Sequence, residues 1–299
     1  MNAPAQVITP PSSPTPAALA PYWGARLHLG IHRSGQRSIL GEVSHEGPLR
    51  IQRPFYPEGT DLCHLYLLHP PGGLVSGDHL HIDARIAQDA AALITTPSAG
   101  KVYRANTQGT PQVQQTRLEV ETGASLEWLP QENILFDQAA AVLETEIHLQ
   151  PSARLIAWEL VCLGRPHCDE RFESGYLRQR LSVWCQGVPL YLDHFSLSGG
   201  DALMQAPWGL QGLACVGTAI LACGDMSIPA INGLVDQLRE TAPASDSLQV
   251  AVTRLRSLIV VRLLGADTEA AKQVLERIWI QARPVLLERE ASIPRIWNT

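Results

Sequence analysis

The chain has 299 residues, of which 45% are hydrophobic and 17% charged, and it carries a formal net charge of -6. That balance excludes a nucleic-acid binder, which needs a basic stripe, and a protein held on anionic lipid by a polybasic run. So few charges on so apolar a chain imply strands buried on both faces, or a surface covered by partners.

Residues 1–21 contain no basic residue and no apolar core of the kind a secretory leader needs, and are rich in Pro, Ala and Ser. They read as a disordered tail on a cytosolic protein. Residues 22–299 read as a single domain, with a β body over about 22–225 and a helix-containing part over about 226–299. Apolar residues in the body recur with period two or in short solid runs, punctuated by Gly, Pro, Asn and Asp. This predicts strands at 26–31, 49–52, 62–68, 79–86, 91–95, 113–120, 125–128, 141–149, 155–162, 177–184 and 190–197. A sandwich, a barrel and a stacked solenoid all fit that spacing.

Between the third and fourth of these strands, Leu65 to Leu68 runs into His69-Pro70-Pro71-Gly72-Gly73 and then an acidic turn at Asp78. Prolines fix φ and glycines permit positive φ, so the loop has a chain path open to few other sequences. The uncharged stretch 202–224 raises the question of a membrane span, but it contains Gln205, Pro207, Gln211 and four glycines. Further on, Pro229 marks a helix start, with Ile231, Leu234, Val235 and Leu238 on one face and Pro243 as its stop. Residues 249–264 read as two strands. Asp267 is expected to cap a second helix whose stripe, Ala271, Val274, Leu275, Ile278, Trp279 and Ala282, ends ahead of Pro284.

Catalytic motifs are absent. Ser98-Ala99-Gly100-Lys101 resembles the end of a phosphate-binding loop, but Ile94 and Val102 stand where that motif requires Gly and a hydroxyl residue. Ser76 is one place late for a nucleophile elbow and reads as a turn residue. The six cysteines, Cys63, Cys162, Cys168, Cys185, Cys215 and Cys223, lack disulfide-scaffold spacing and read as reduced and mostly buried. Ten histidines include the pairs His28/His32, His64/His69 and His79/His81, without a closed metal-site motif.

Acidic residues inside apolar strands are the remaining chemical signal. Glu159 lies between Trp158 and Leu160, Asp193 follows Leu190-Tyr191-Leu192, and Asp78 ends the glycine loop. A buried carboxylate needs a cation, an arginine or water beside it. Either an internal pair with Arg165, Arg171, Arg178 or Arg180, or the lining of a transient cation route, meets that need.

Several blocks in order resemble the urease accessory protein UreD (UreH) family. They are Gly47 to Glu58, Cys63-His64, His69 to Gly73, Thr95-Thr96-Pro97, Lys101 to Arg104, Leu126 to Glu132 with Leu135-Phe136, Cys162 to Pro166, and Pro294 to Trp297. The resemblance implies a mainly β fold, a right-handed β-helix-like stack of strands with two α-helices near the C-terminal end. It implies a cytosolic, non-catalytic chaperone that inserts nickel into the urease apoprotein, bound to UreF and through UreF to UreG. Nickel would be a transient cargo passing through an internal tunnel, with Asp78, Glu159 and Asp193 as its lining. The competing expectations are a β-solenoid hydrolase using Glu159 and Asp193 as an acid pair, and a structural adaptor through which no metal passes.

Overall fold

The computed structural model describes residues 23–241, 245 and 247–298. The expected tail and Pro243 lie outside these residues. The strands in chain order are β1 (Trp23–Ser34), β2 (Arg37–Glu46), β3 (Arg50–Ile51), β4 (Cys63–Leu68), β5 (Asp78–Ile86), β6 (Ala91–Thr95), β7 (Gly100–Val102), β8 (Gln112–Val120) and β9 (Ser125–Leu129). They continue as β10 (Asn133–Leu135), β11 (Ala140–Leu149), β12 (Arg154–Leu163), β13 (Tyr176–Cys185), β14 (Val188–Ser198) and β15 (Cys215–Cys223). Helix α1 (Ile228–Thr241), β16 (Leu248–Leu255), β17 (Leu258–Gly265) and α2 (Thr268–Leu287) complete the chain.

Two sheets are formed. A seven-stranded one has the order β14-β13-β11-β8-β5-β1-β2, and a ten-stranded one has β16-β17-β15-β12-β9-β6-β4-β3 as its main path. From β5 to β13 the chain alternates between the sheets, and each strand pairs in parallel with the one laid down a circuit earlier. Hairpins close the ends, with β1 antiparallel to β2 and β13 antiparallel to β14. The fold is therefore mainly β with two late helices, as expected.

Three apolar clusters hold it together. Two lie between the sheets: one contains Leu118, Ile147, Leu155, Ala157, Leu181 and Ile220, the other Ala141, Leu143, Val161, Leu163, Leu177 and Val216. The third joins the outer face of the ten-stranded sheet to the helices. Every apolar residue named for the two helix stripes is buried there.

Each expected strand falls on an observed one, but β2, β7, β10 and β15 were not anticipated. β2 is an edge strand with mostly exposed residues and a register shift opposite Gly30 and Ile31, so it lacks clean alternation. All nine residues of β15 are buried, because one face meets the inter-sheet core and the other meets α2. A strand covered on both faces shows no period. No helix among the described residues is long and apolar enough to cross a membrane, and the stretch 202–224 holds a single 3-10 turn and β15. Asp267 caps α2 as predicted, its Oδ1 accepting from Ala270 N at 2.8 Å. The helix does not stop before Pro284, however. It runs on to Leu287, since burial of Arg283 and Leu286 offsets the backbone bond that proline removes.

Candidate functional site

The Pro-Pro-Gly-Gly loop between β4 and β5 is shaped by its glycines. Gly72 has φ +77°, and a Cβ on Gly73 would lie 2.5 Å from the Tyr103 ring and 2.8 Å from the Lys101 carbonyl oxygen. That close approach lets Leu74 N donate to Lys101 O at 2.7 Å and Tyr103 N donate to Leu74 O at 3.0 Å. Asp78 closes the turn by accepting from Val75 N at 2.8 Å, and Ser76 accepts from Asn106 N at 2.7 Å. Burial lowers the pKa of His69 on the same loop, and the charge of Asp78 offsets part of that.

Behind the loop a cavity of about 290 Å³ opens between the sheets. Its lining includes His69, Gly73 and Lys101 from the loops and Thr116, Thr145 and Glu159 from the strands. The lone Gly100-Lys101 match thus finds a place in the cavity lining. Gly100 begins β7, and no phosphate-cradling helix follows.

Glu159 is the only one of the three expected acids that reaches this cavity. Its Oε2 accepts from Gln179 Nε2 at 2.7 Å, and the Thr145 hydroxyl supplies a further hydrogen bond. Burial raises its pKa against the effect of these two bonds, and the charge of Asp193 pushes it up further. No arginine, lysine or histidine forms an ion pair with Glu159 among the described residues. Asp193 is paired instead: Arg262 donates to its carboxylate and to Tyr191 Oη, the latter at 2.8 Å. The four arginines considered from sequence pair with neither acid; Arg165, for one, is bound to Glu170. Asp78 stays at the loop, on a turn, away from the other two.

A wider pattern surrounds Glu159, which sequence reasoning missed. The two inter-sheet clusters meet near one level, and several strands carry an inward polar residue there: Thr116 on β8, Thr145 on β11 and Glu159 on β12, with Gln179 on β13 two residues before Leu181. Asp193 on β14, at the edge of the seven-stranded sheet, and Thr218 on β15 and Arg262 on β17 extend the level. Strand register fixes it, with Thr145 opposite Leu181 and Leu181 opposite Asp193 in one sheet. In the other sheet Glu159 is opposite Thr218, and Thr218 is opposite Arg262. Thr116, Thr145 and Thr218 are all buried. A polar seam therefore crosses the core from the cavity to a groove of about 450 Å³ that Arg262 lines. The available signal was parity: Thr116 shares a strand face with Leu118 and Val120, so the alternation alone pointed it inward.

All six thiols are free; four are buried, and Cys168 is exposed. His79 is on the outer, polar face of β5, with its Nε2 2.8 Å from Gln115 Oε1. Among the described residues no group of three or more His, Cys, Asp or Glu is arranged to hold a metal ion. What the seam offers, among the described residues, is one carboxylate without a counter-ion, flanked by hydroxyl and amide groups.

The family model described as "UreD urease accessory protein" matches residues 24–298. The chain is 43% identical over 284 residues to the urease accessory protein UreD of Marinobacter nauticus, covering 93% of each chain. It is 42% identical over 281 residues to that of Citrobacter koseri, covering 93% of this chain and 92% of the relative. With that of Alkalilimnicola ehrlichii it shares 40% identity over 297 residues, 98% of each chain. On a match of that length and identity, the chain belongs to the UreD family of urease accessory proteins.

Proposed function

We propose that this protein is a non-catalytic maturation chaperone that helps load nickel into the urease apoprotein, working in the cytosol between the apoprotein and UreF, with UreG recruited through UreF. Nickel is its cargo and crosses the inter-sheet space from one end of the polar seam to the other. The winding of strands between the two sheets is, in this reading, a right-handed β-helix-like stack whose hollow level serves as the route.

The observation that carries the proposal is the state of Glu159, a half-buried carboxylate on the inter-sheet cavity with hydroxyl and amide partners and, among the described residues, no cationic one. A charge so placed attracts a passing divalent ion without enclosing it. The hydrolase reading is disfavoured, because Arg262 and Tyr191 already engage Asp193 and leave it unsuited to act as the second acid of a pair. The test is Glu159→Gln in a reconstitution with apo-urease, UreF and UreG. Lost activation with an intact complex supports the conduit, and unchanged activation favours a metal-free adaptor.

A further inference from the structure

The seam ends at a fixed positive charge, which is an odd terminus for a cation route. Arg262 sits one strand beyond Thr218 and two beyond Glu159 in a single cross-strand row on the inner face of the ten-stranded sheet. Its side chain is 45% exposed to the groove, while Asp193, the carboxylate it holds, is 24% exposed. Tyr191 Oη lies 3.3 Å from Asp193 and 2.8 Å from Arg262 Nη1, so the three form one closed group. Phe195, Trp208, Val216 and Leu264 line the groove with Arg262, and none of these four carries a charge.

We propose that Arg262 is an affinity-setting gate: its guanidinium occupies Asp193 so that Glu159 and Asp193 cannot hold a divalent cation together, and it must swing toward the groove for the cation to leave. The inference rests on the conduit reading and deepens it. Two carboxylates facing one cation make a retaining site, whereas one carboxylate makes a transit site. A guanidinium stays protonated at any working pH, so its hold on Asp193 is lost through movement alone. Register brings the two acids to one level: Gln179, which donates to Glu159, and Leu181, which is opposite Asp193, share the inner face of β13. Exposure to an open groove leaves the arginine room to swing, which a buried arginine would lack.

The test is equilibrium dialysis of nickel(II) alone against the full chain co-purified with UreF. Arg262→Gln is expected to bind nickel at least about tenfold more tightly than the natural chain, the effect of removing one competing charge. Arg262→Lys, which restores a cation, is expected to return affinity toward the natural value, and Arg262→Gln with Asp193→Asn is expected to abolish the gain. Thermal melts of all variants guard against misfolding, and Arg262 has a half-exposed side chain whose substitution leaves the apolar core unchanged. Equal affinity of Arg262→Gln and the natural chain overturns the gate. So does a gain that persists in the double variant, because the released carboxylate would then not be Asp193. If Glu159→Gln leaves urease activation unchanged, the conduit reading fails by a separate measurement, and the affinity comparison still decides the role of Arg262.

Discussion

Arg283 on α2 grips Glu58, 225 residues earlier in the chain, through two hydrogen bonds of 2.7 and 2.9 Å. The same guanidinium bonds Glu127 on β9 at 2.8 and 3.1 Å, and Trp279 Nε1 donates to Glu127 at 2.5 Å. Side-chain exposure of Arg283, Glu58 and Glu127 is 0%, 9% and 2%, so these charges are out of water. Removing the cation strands two carboxylates: Arg283→Met is expected to cost about 3–5 kcal/mol in urea unfolding. A loss below about 1 kcal/mol, the scale of an exposed pair, would contradict this.

The network also sets the acid limit of the fold. Burial would raise the Glu58 carboxyl, but hydrogen bonds from His64 and Arg283 outweigh it and bring it down to about 2. In the unfolded chain it titrates near an ordinary ~4.3. A depressed carboxyl contributes stability above its unfolded pKa, and that contribution is lost as pH falls through the folded value. The melting temperature is therefore expected to drop between about pH 4.3 and about 2. Glu58→Gln is expected to flatten that drop, and an unchanged slope would refute the assignment.

Glu159 has the opposite sign. Its pKa is raised, chiefly by burial, so it destabilises the fold when ionised. The penalty is absent below the unfolded pKa near ~4.3 and grows as pH rises toward the folded value. Glu159→Gln keeps an acceptor for Gln179 and is expected to raise the melting temperature at pH 7.5, with the gain vanishing toward pH 4. A variant less stable than the natural chain at pH 7.5 would mean the carboxylate has a cationic partner after all.

Exposed apolar side chains predict how the isolated chain behaves. Trp208 is 85% exposed, Trp23 76% and Leu192 57%. Uncovered surface of this kind promotes association. Expressed alone, the chain is expected to aggregate, and co-expression with UreF is expected to bring it into solution. A monodisperse monomer from the chain alone would count against a partner-covered scaffold.

Much of the fold could be read from the sequence, because its strands are half-buried and alternate cleanly, as His79, His81 and Asp83 do against Leu80, Ile82 and Ala84. The helices were readable for the same reason at period 3.6, down to the Asp267 cap. β15 was not, since burial on both faces erases the period. For the site, the sequence marked Glu159 as a carboxylate in the wrong company. It could not pair Asp193 with Arg262, which is 69 residues away and joined to it only where β14 meets β17 across the two sheets. Nor could it reveal the seam, whose threonines are ordinary strand residues until register places them at one level. Asp78 was singled out for its charge, yet its carboxylate does the work of a turn cap.

The most direct test of the central claim is nickel content. Apo-urease incubated with UreF, UreG, GTP and nickel is separated from its accessory proteins, and bound nickel is counted alongside ureolysis. With the natural chain present, nickel loading and activity are expected to rise together; with Glu159→Gln, both are expected to fall while the accessory complex still forms on urease. Full nickel loading with Glu159→Gln would contradict a route through this protein.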